Sequence, residues 1–89
     1  MNILDNDKLI KDFIINNLET NAYYKNLKHL YDFADDKDYF VKAIFDCFEM
    51  YNCRYSIYTI MDSIEHFLEK HDYATDIYKI IQHEYFEID

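Results

Sequence analysis

The 89-residue chain contains no glycine and no proline, and this double absence limits the folds that are open to it. Tight hairpin turns depend on Gly or Asn at positive φ, and a chain without Gly or Pro has few residues that interrupt a helix. The same absence excludes phosphate-binding loops, whose glycines let the backbone approach a phosphate. The sequence therefore predicts an all-α protein, with turns built from Asn, Asp, His and Lys.

Five stretches of the sequence carry apolar residues at the 3.6-residue period of an amphipathic helix. Short polar segments separate them, and such connections join antiparallel neighbours in helical bundles. Because each helix would have only about 12–16 residues, we expect a compact bundle of four to five short helices, in a single helical domain over residues 1–89. The predicted helices span approximately residues 6–18, 22–33, 38–51, 56–70 and 72–85.

Polar residues at the predicted helix starts are candidate N-caps, whose side-chain oxygens accept backbone N–H groups of the first turn. An acidic cap also suits the positive end of the helix dipole. We expect caps at Asn6, at Asp36 or Asp38, at Ser56 and at Asp72.

The formal net charge is −9, from 18 acidic and 9 basic residues, and it is unevenly distributed. Residues 1–31 carry four lysines and four acids, so all of the net charge lies in residues 32–89. An acidic surface repels nucleic acid and anionic membranes and favours basic proteins. We therefore expect the neutral first third to act as scaffold and the rest to meet a basic partner.

The fourth predicted helix carries a row of acidic residues and one tyrosine opposite its apolar face. Four helical residues rise about 6 Å, which is comparable with the spacing of successive phosphates on one nucleic-acid strand. Such a row could mimic nucleic acid, although a solvated helix face is also commonly acidic. The near absence of Lys at i+4 favours a binding role, because a face built for solubility mixes both signs. The row comprises Tyr58, Asp62, Glu65 and Glu69, and Asp72 and Asp76 continue it.

Further acidic residues could extend this surface. A second row on the third helix is interrupted by Lys42, and an acid-rich loop precedes that helix. The predicted second row contains Tyr39, Asp46 and Glu49, and the loop contributes Asp32, Asp35, Asp36 and Asp38.

Tyrosine is frequent, with ten residues beside seven Phe and no Trp. The periodicity places Leu9 and Tyr23 on apolar faces and leaves five other tyrosines away from them. Tyrosine is enriched at binding hot spots, but it is also ordinary at the edge of a core. The tyrosines that fall off the apolar faces are Tyr24, Tyr39, Tyr55, Tyr58 and Tyr78.

Residues for metal binding or catalysis are not grouped in the sequence. The four histidines form no i,i+4 pair, and the spacing of Cys47 and Cys53 is not that of a zinc site. No Ser-His-Asp order or activated cysteine is present. The sequence predicts a non-enzyme with no metal and no cofactor. With few cysteines, no signal-peptide pattern at residues 1–13 and no long apolar run, we expect a cytoplasmic protein that does not enter membranes.

One short motif, Asp62-Ser63-Ile64, resembles the Asp-Ser-Leu of acyl carrier proteins, which are also small, acidic and helical. The resemblance implies phosphopantetheine on Ser63. It covers three residues, no Gly precedes it, and Ser63 lies inside a strongly periodic helix instead of at a helix start.

Two classes of function remain. The first is a small acidic inhibitor of the phage or mobile-element type, like anti-CRISPR, anti-restriction or nuclease-immunity proteins, which blocks a basic nucleic-acid-binding protein by mimicry or steric occlusion and does not itself bind nucleic acid. The residue bias towards Asn, Ile, Lys, Tyr, Asp and Phe suggests AT-rich coding and a bacterial host. The second is a structural or adaptor module that homodimerises through apolar faces and tyrosines.

Overall fold

The computed structural model describes residues 3–51 and 53–70, and this part of the chain contains four α-helices and one short 3₁₀ helix. The predicted all-α bundle is confirmed. The fifth predicted helix, with Asp72 and Asp76, lies outside the described residues. The helices are α1 (Ile3–Thr20), α2 (Lys25–Asp32), α3 (Lys37–Tyr51) and α4 (Ile57–Lys70), and the 3₁₀ helix spans Ala22–Tyr24.

The core lies where all four helices meet. Helix α1 packs against α2 and α3, and α4 also packs against both. Burying these side chains provides the main stabilisation of a small bundle. The core side chains are Ile14, Leu18, Tyr24, Leu27, Tyr31, Phe40, Val41, Ala43, Ile44, Phe45, Cys47, Ile60, Met61, Ile64 and Leu68.

Two predicted caps are confirmed at the starts of α3 and α4. The Asp36 carboxylate accepts the backbone N–H of Tyr39 at 3.0 Å, and the Ser56 hydroxyl accepts that of Thr59 at 3.2 Å. Asp38, the alternative cap, lies in the first turn of α3. Asn6 does not cap α1, because that helix already begins at Ile3.

The second predicted helix consists of a 3₁₀ helix followed by α2. This division exchanges the predicted positions of two tyrosines, one in the core and one at the surface. Asn21 Oδ1 accepts the N–H of Tyr23 at 3.0 Å, which starts the 3₁₀ helix before α2 begins at Lys25. The change in helical twist turns Tyr24 into the core, where it is 1% exposed, and leaves Tyr23 61% exposed. The prediction for both tyrosines was therefore wrong, since it assumed one continuous α-helical period.

Leu9 was predicted on an apolar face but is largely exposed near the start of α1. The burial of this helix is concentrated in its second half, at Ile14, Asn17 and Leu18. The Asn17 side chain satisfies its polar atoms locally, because it donates to the Phe13 carbonyl at 2.9 Å and accepts from Asn21 at 3.0 Å. No helix in the described part of the chain is both long enough and apolar enough to cross a membrane.

Candidate partner-binding surface

The acidic row predicted on α4 is interrupted at Glu65, which is 1% exposed. Its Oε1 accepts the backbone N–H of Leu27 at 2.9 Å. Its Oε2 accepts both the backbone N–H of Asn26 at 3.2 Å and the Asn26 side-chain amide at 2.7 Å. Glu65 therefore caps the start of α2 from another helix, where the N–H groups lack partners within the helix. Its predicted place on an exposed face is corrected.

Asp62, one turn earlier on α4, is half-buried and also has a bond within the fold. Its Oδ1 accepts the hydroxyl of Tyr24 at 2.7 Å. Burial raises the pKa of Tyr24, and the hydrogen bond to Asp62 raises it further because the bond favours the protonated phenol. The two central carboxylates of the row thus fix the segment 24–27 onto α4.

The ends of the α4 row are exposed. Tyr58 is 52% exposed, and its ring meets that of Phe13 edge-on at 4.9 Å between centroids. Glu69 lies at the surface near the end of the helix. With Glu65 buried between them, α4 does not present the evenly spaced charges that a row of phosphates would.

The row predicted on α3 is partly neutralised. Lys42 and Asp46 form an ion pair at 2.7 Å. The lysine therefore interrupts the row and also neutralises the charge of one of its acids. Glu49 is exposed, as is Tyr39 at the start of the helix.

The acids between the end of α2 and the first turn of α3 are all exposed. Two aromatic side chains accompany them, Phe33 at 76% exposure and Tyr39 at 50%. The helical period predicted no role for Phe33 beyond ending the second helix. The signal in the sequence that marks it is its position beside an acid-rich turn. We call residues 32–39 the acidic–aromatic loop, although they also include the last residue of α2 and the first turn of α3. Its exposed acids are Asp32, Asp35, Asp36 and Asp38.

The one lysine of the acidic–aromatic loop is turned towards the protein. Lys37 Nζ donates to the carbonyl of Asp32 at 3.3 Å and lies 5.5 Å from the centre of the Tyr31 ring. Asp32 is also 3.4 Å from Lys28 Nζ. Asp35 and Asp38 have no ion-pair partner among the described residues. The loop therefore keeps an acidic field, to which Asp35 and Asp38 contribute most directly.

Acids from three helices influence the side chain of Tyr31, which lies beneath this loop. Burial raises the pKa of Tyr31, and the negative charges of Glu19, Asp32 and Asp38 raise it further. Glu19 lies in the last turn of α1, in the part of the chain that we had expected to be scaffold. The acidic field around the loop thus includes a residue from the neutral first third.

The described residues give less support to metal binding, to a reactive cysteine or to a phosphopantetheine site. They contain no group of three or more His, Cys, Asp or Glu side chains that could hold a metal ion. Cys47 is buried, which raises the pKa of its thiol to about 12 and disfavours the reactive thiolate. Ser63, the residue that resembles a phosphopantetheine site, lies in the middle of α4 and not at its start.

Comparison of the chain with protein-family models, with curated proteins and with solved structures gave no match.

Proposed function

We propose that the protein is a small acidic inhibitor that acts by binding, in which the acidic–aromatic loop occupies a basic, nucleic-acid-binding surface of another protein. The observation that carries the proposal is the pairing of acids with two exposed aromatic rings in eight consecutive residues. Carboxylates give fast, salt-sensitive association with Lys and Arg, while a ring that becomes buried supplies contact energy. Neither property requires a catalytic residue.

The mechanism that fits this loop best is occlusion of the basic surface. An extended mimic needs charges at regular intervals, and burial of Glu65 breaks that regularity on α4. A compact loop can instead cover part of a nucleic-acid groove and compete for its lysines and arginines. Tyr58 and Glu69, which are exposed at the two ends of α4, are further candidate contacts. The proposed inhibitor would belong to the phage or mobile-element type, of the anti-CRISPR, anti-restriction or nuclease-immunity class, and the proposed setting is the cytoplasm of a bacterial host.

Capture from a bacterial lysate by the immobilised full chain would test the role of the loop. The double variant Asp35→Lys with Asp38→Lys reverses two charges of the loop and leaves the Asp36 cap in place. Asp7→Lys with Asp12→Lys on α1 changes the net charge equally and serves as the control. We expect the loop variant to lose the captured protein at low salt and the control variant to retain it.

Two results of this experiment would contradict the proposal. One is equal loss of capture in both variants, which would reduce the interaction to net charge. The other is retention by a folded loop variant, which would remove the loop from the interface. The loop variant places a positive charge in the first turn of α3, which costs about 0.3–1 kcal/mol of stability. Urea unfolding of each variant would therefore be needed to establish that it is folded.

Exposed apolar side chains favour the second candidate, a homodimerising module. Besides Phe33, Met50 is 70% exposed and Leu9 is 66% exposed. A second copy could bury such side chains. Sedimentation equilibrium distinguishes the candidates, because the inhibitor proposal predicts the mass of one 11.0-kDa chain at micromolar concentration and the module predicts twice that mass.

A further inference from the structure

A shallow cleft lies between the 3₁₀ helix and α4, apart from the acidic–aromatic loop. It has a volume of about 410 Å³, which is enough for one amino-acid side chain. Its residues from α4 share one face of that helix, and an aromatic ring stands opposite them. The lining residues are Tyr23, Thr59, Asp62, Ser63 and His66.

The cleft is preorganised by contacts behind it. Tyr24 is buried and donates its hydroxyl to Asp62 Oδ1 at 2.7 Å, which fixes that carboxylate. The same Tyr24 ring packs edge-on against Tyr23, with centroids 5.2 Å apart and an interplanar angle of 89°. One buried side chain therefore positions both the carboxylate and the exposed ring. Such preorganisation reduces the entropic cost of binding a ligand.

The lining defines the chemistry of the occupant. Asp62 is the only acid among the described lining residues, and neither Lys nor Arg accompanies it beside His66, so the cleft favours a cation and disfavours an anion. The face of Tyr23 can receive a planar cation. The hydroxyls of Thr59 and Ser63 can accept further N–H donors. A guanidinium meets all three demands because it is planar, always charged and carries five donors, whereas an ammonium ion is compact and strongly hydrated.

We propose that this cleft binds the guanidinium group of an arginine side chain on the partner protein. Asp62 Oδ2 accepts from the guanidinium, Tyr23 stacks on its plane, and the α4 hydroxyls accept from its outer N–H groups. That the arginine belongs to a basic partner rests on the proposed function. The preference of the cleft for arginine over lysine follows from its own lining.

Nuclear magnetic resonance titration of the full chain tests the preference without the partner. The two ligands are N-acetyl-arginine amide and N-acetyl-lysine amide, and the amide signals of Thr59 and Ser63 are followed. The test variants are Asp62→Asn, which keeps an oxygen for Tyr24, and Tyr23→Ala. Their matched controls, Asp12→Asn and Met50→Ala, remove one charge and one exposed apolar side chain outside both the cleft and the acidic–aromatic loop.

We expect the arginine derivative to give saturable shifts of Thr59 and Ser63 at lower concentration than the lysine derivative. Asp62→Asn should weaken arginine binding about tenfold, because a charge-assisted hydrogen bond is lost. Tyr23→Ala should weaken it as well, and the two control variants should not. Absence of saturable shifts, equal affinity for lysine, or unchanged affinity in Asp62→Asn and Tyr23→Ala would each overturn the inference.

The titration and the capture experiment fail independently. If the arginine preference is absent but capture still depends on the loop, the arginine site is overturned and the inhibitor proposal stays in place. A positive titration with capture that ignores the loop variant overturns the inhibitor proposal and leaves the cleft as an arginine site.

Discussion

Glu65 shows how a single carboxylate can be structural in a chain with a large negative charge. Burial of a carboxylate is costly unless hydrogen bonds replace its water, and here three donors from Asn26 and Leu27 do so. The positive end of α2 adds a favourable field. The residue joins two helices that are distant in sequence, so its removal should affect the whole bundle.

Substitution of Glu65 provides a direct stability test. We expect Glu65→Ala to lower the free energy of unfolding by about 2–4 kcal/mol, because buried donors lose their acceptor. Glu65→Gln keeps one oxygen and should cost about 1–2 kcal/mol. The control Glu69→Ala, at an exposed position on the same helix, should stay within about 0.5 kcal/mol. Urea denaturation measures all three, and equal small effects at both positions would contradict the capping role.

Cys47 predicts a loss of stability in alkali. Its burial raises the thiol pKa from 9.0 to about 12, so above pH 9 the unfolded chain releases a proton that the folded chain keeps. The contribution of Cys47 to the free energy of unfolding is therefore fully present below about pH 9. It is lost as the pH rises, by at most about 1.4 kcal/mol per pH unit. Burial also raises the pKa of Tyr24, and this adds a second loss of stability that begins above about pH 10.

Denaturation curves between about pH 9 and 10 isolate the thiol. We expect the slope with pH to shrink in Cys47→Ala and to persist in Cys53→Ala, because Cys53 is exposed. An undiminished slope in Cys47→Ala would show that the thiol is not its source.

At the scale of elements, helix starts are set by local side-chain caps that the sequence reveals. Asp36→Ala and Ser56→Ala should each lower the free energy of unfolding by about 1 kcal/mol, because an N–H of the first turn loses its acceptor. For a bundle of this size that corresponds to a fall in Tm of about 4–8 °C per kcal/mol. Asp35→Ala is the control in the same loop, and calorimetric scans that fail to separate it from Asp36→Ala would refute the capping assignment.

The limits of sequence reasoning are also visible at this scale. The helical period and the caps at Asp36 and Ser56 are local, so the sequence predicted the all-α bundle and the starts of α3 and α4. The roles of Glu65 and Tyr24 depend on α4 meeting a 3₁₀ turn that is nearly forty residues away in sequence. A helical wheel places Glu65 on a polar face because it cannot show that another helix begins there. The exposed acids of the loop were predictable, since charged residues between helices have little else to pack against.

At the scale of the molecule, the described residues separate two uses of acidity. On α4, Glu65 and the Oδ1 of Asp62 hold the bundle together, while the acidic–aromatic loop faces outwards. A net charge of −9 favours association with basic surfaces, and salt screens that attraction at separations beyond the Debye length of about 8 Å at physiological ionic strength. The exposed rings of Phe33 and Tyr39 would then act at short range, where salt has less effect.

Competition with duplex DNA for the captured protein tests the central claim most directly. The partner is loaded with labelled DNA, and release of the label is followed as the full chain is added. The account predicts that wild type and Asp7→Lys with Asp12→Lys displace the DNA, while Asp35→Lys with Asp38→Lys requires at least about a tenfold higher concentration, equivalent to about 1.4 kcal/mol. Stable co-binding of DNA and the wild-type chain, or equal displacement by a folded loop variant, would contradict it.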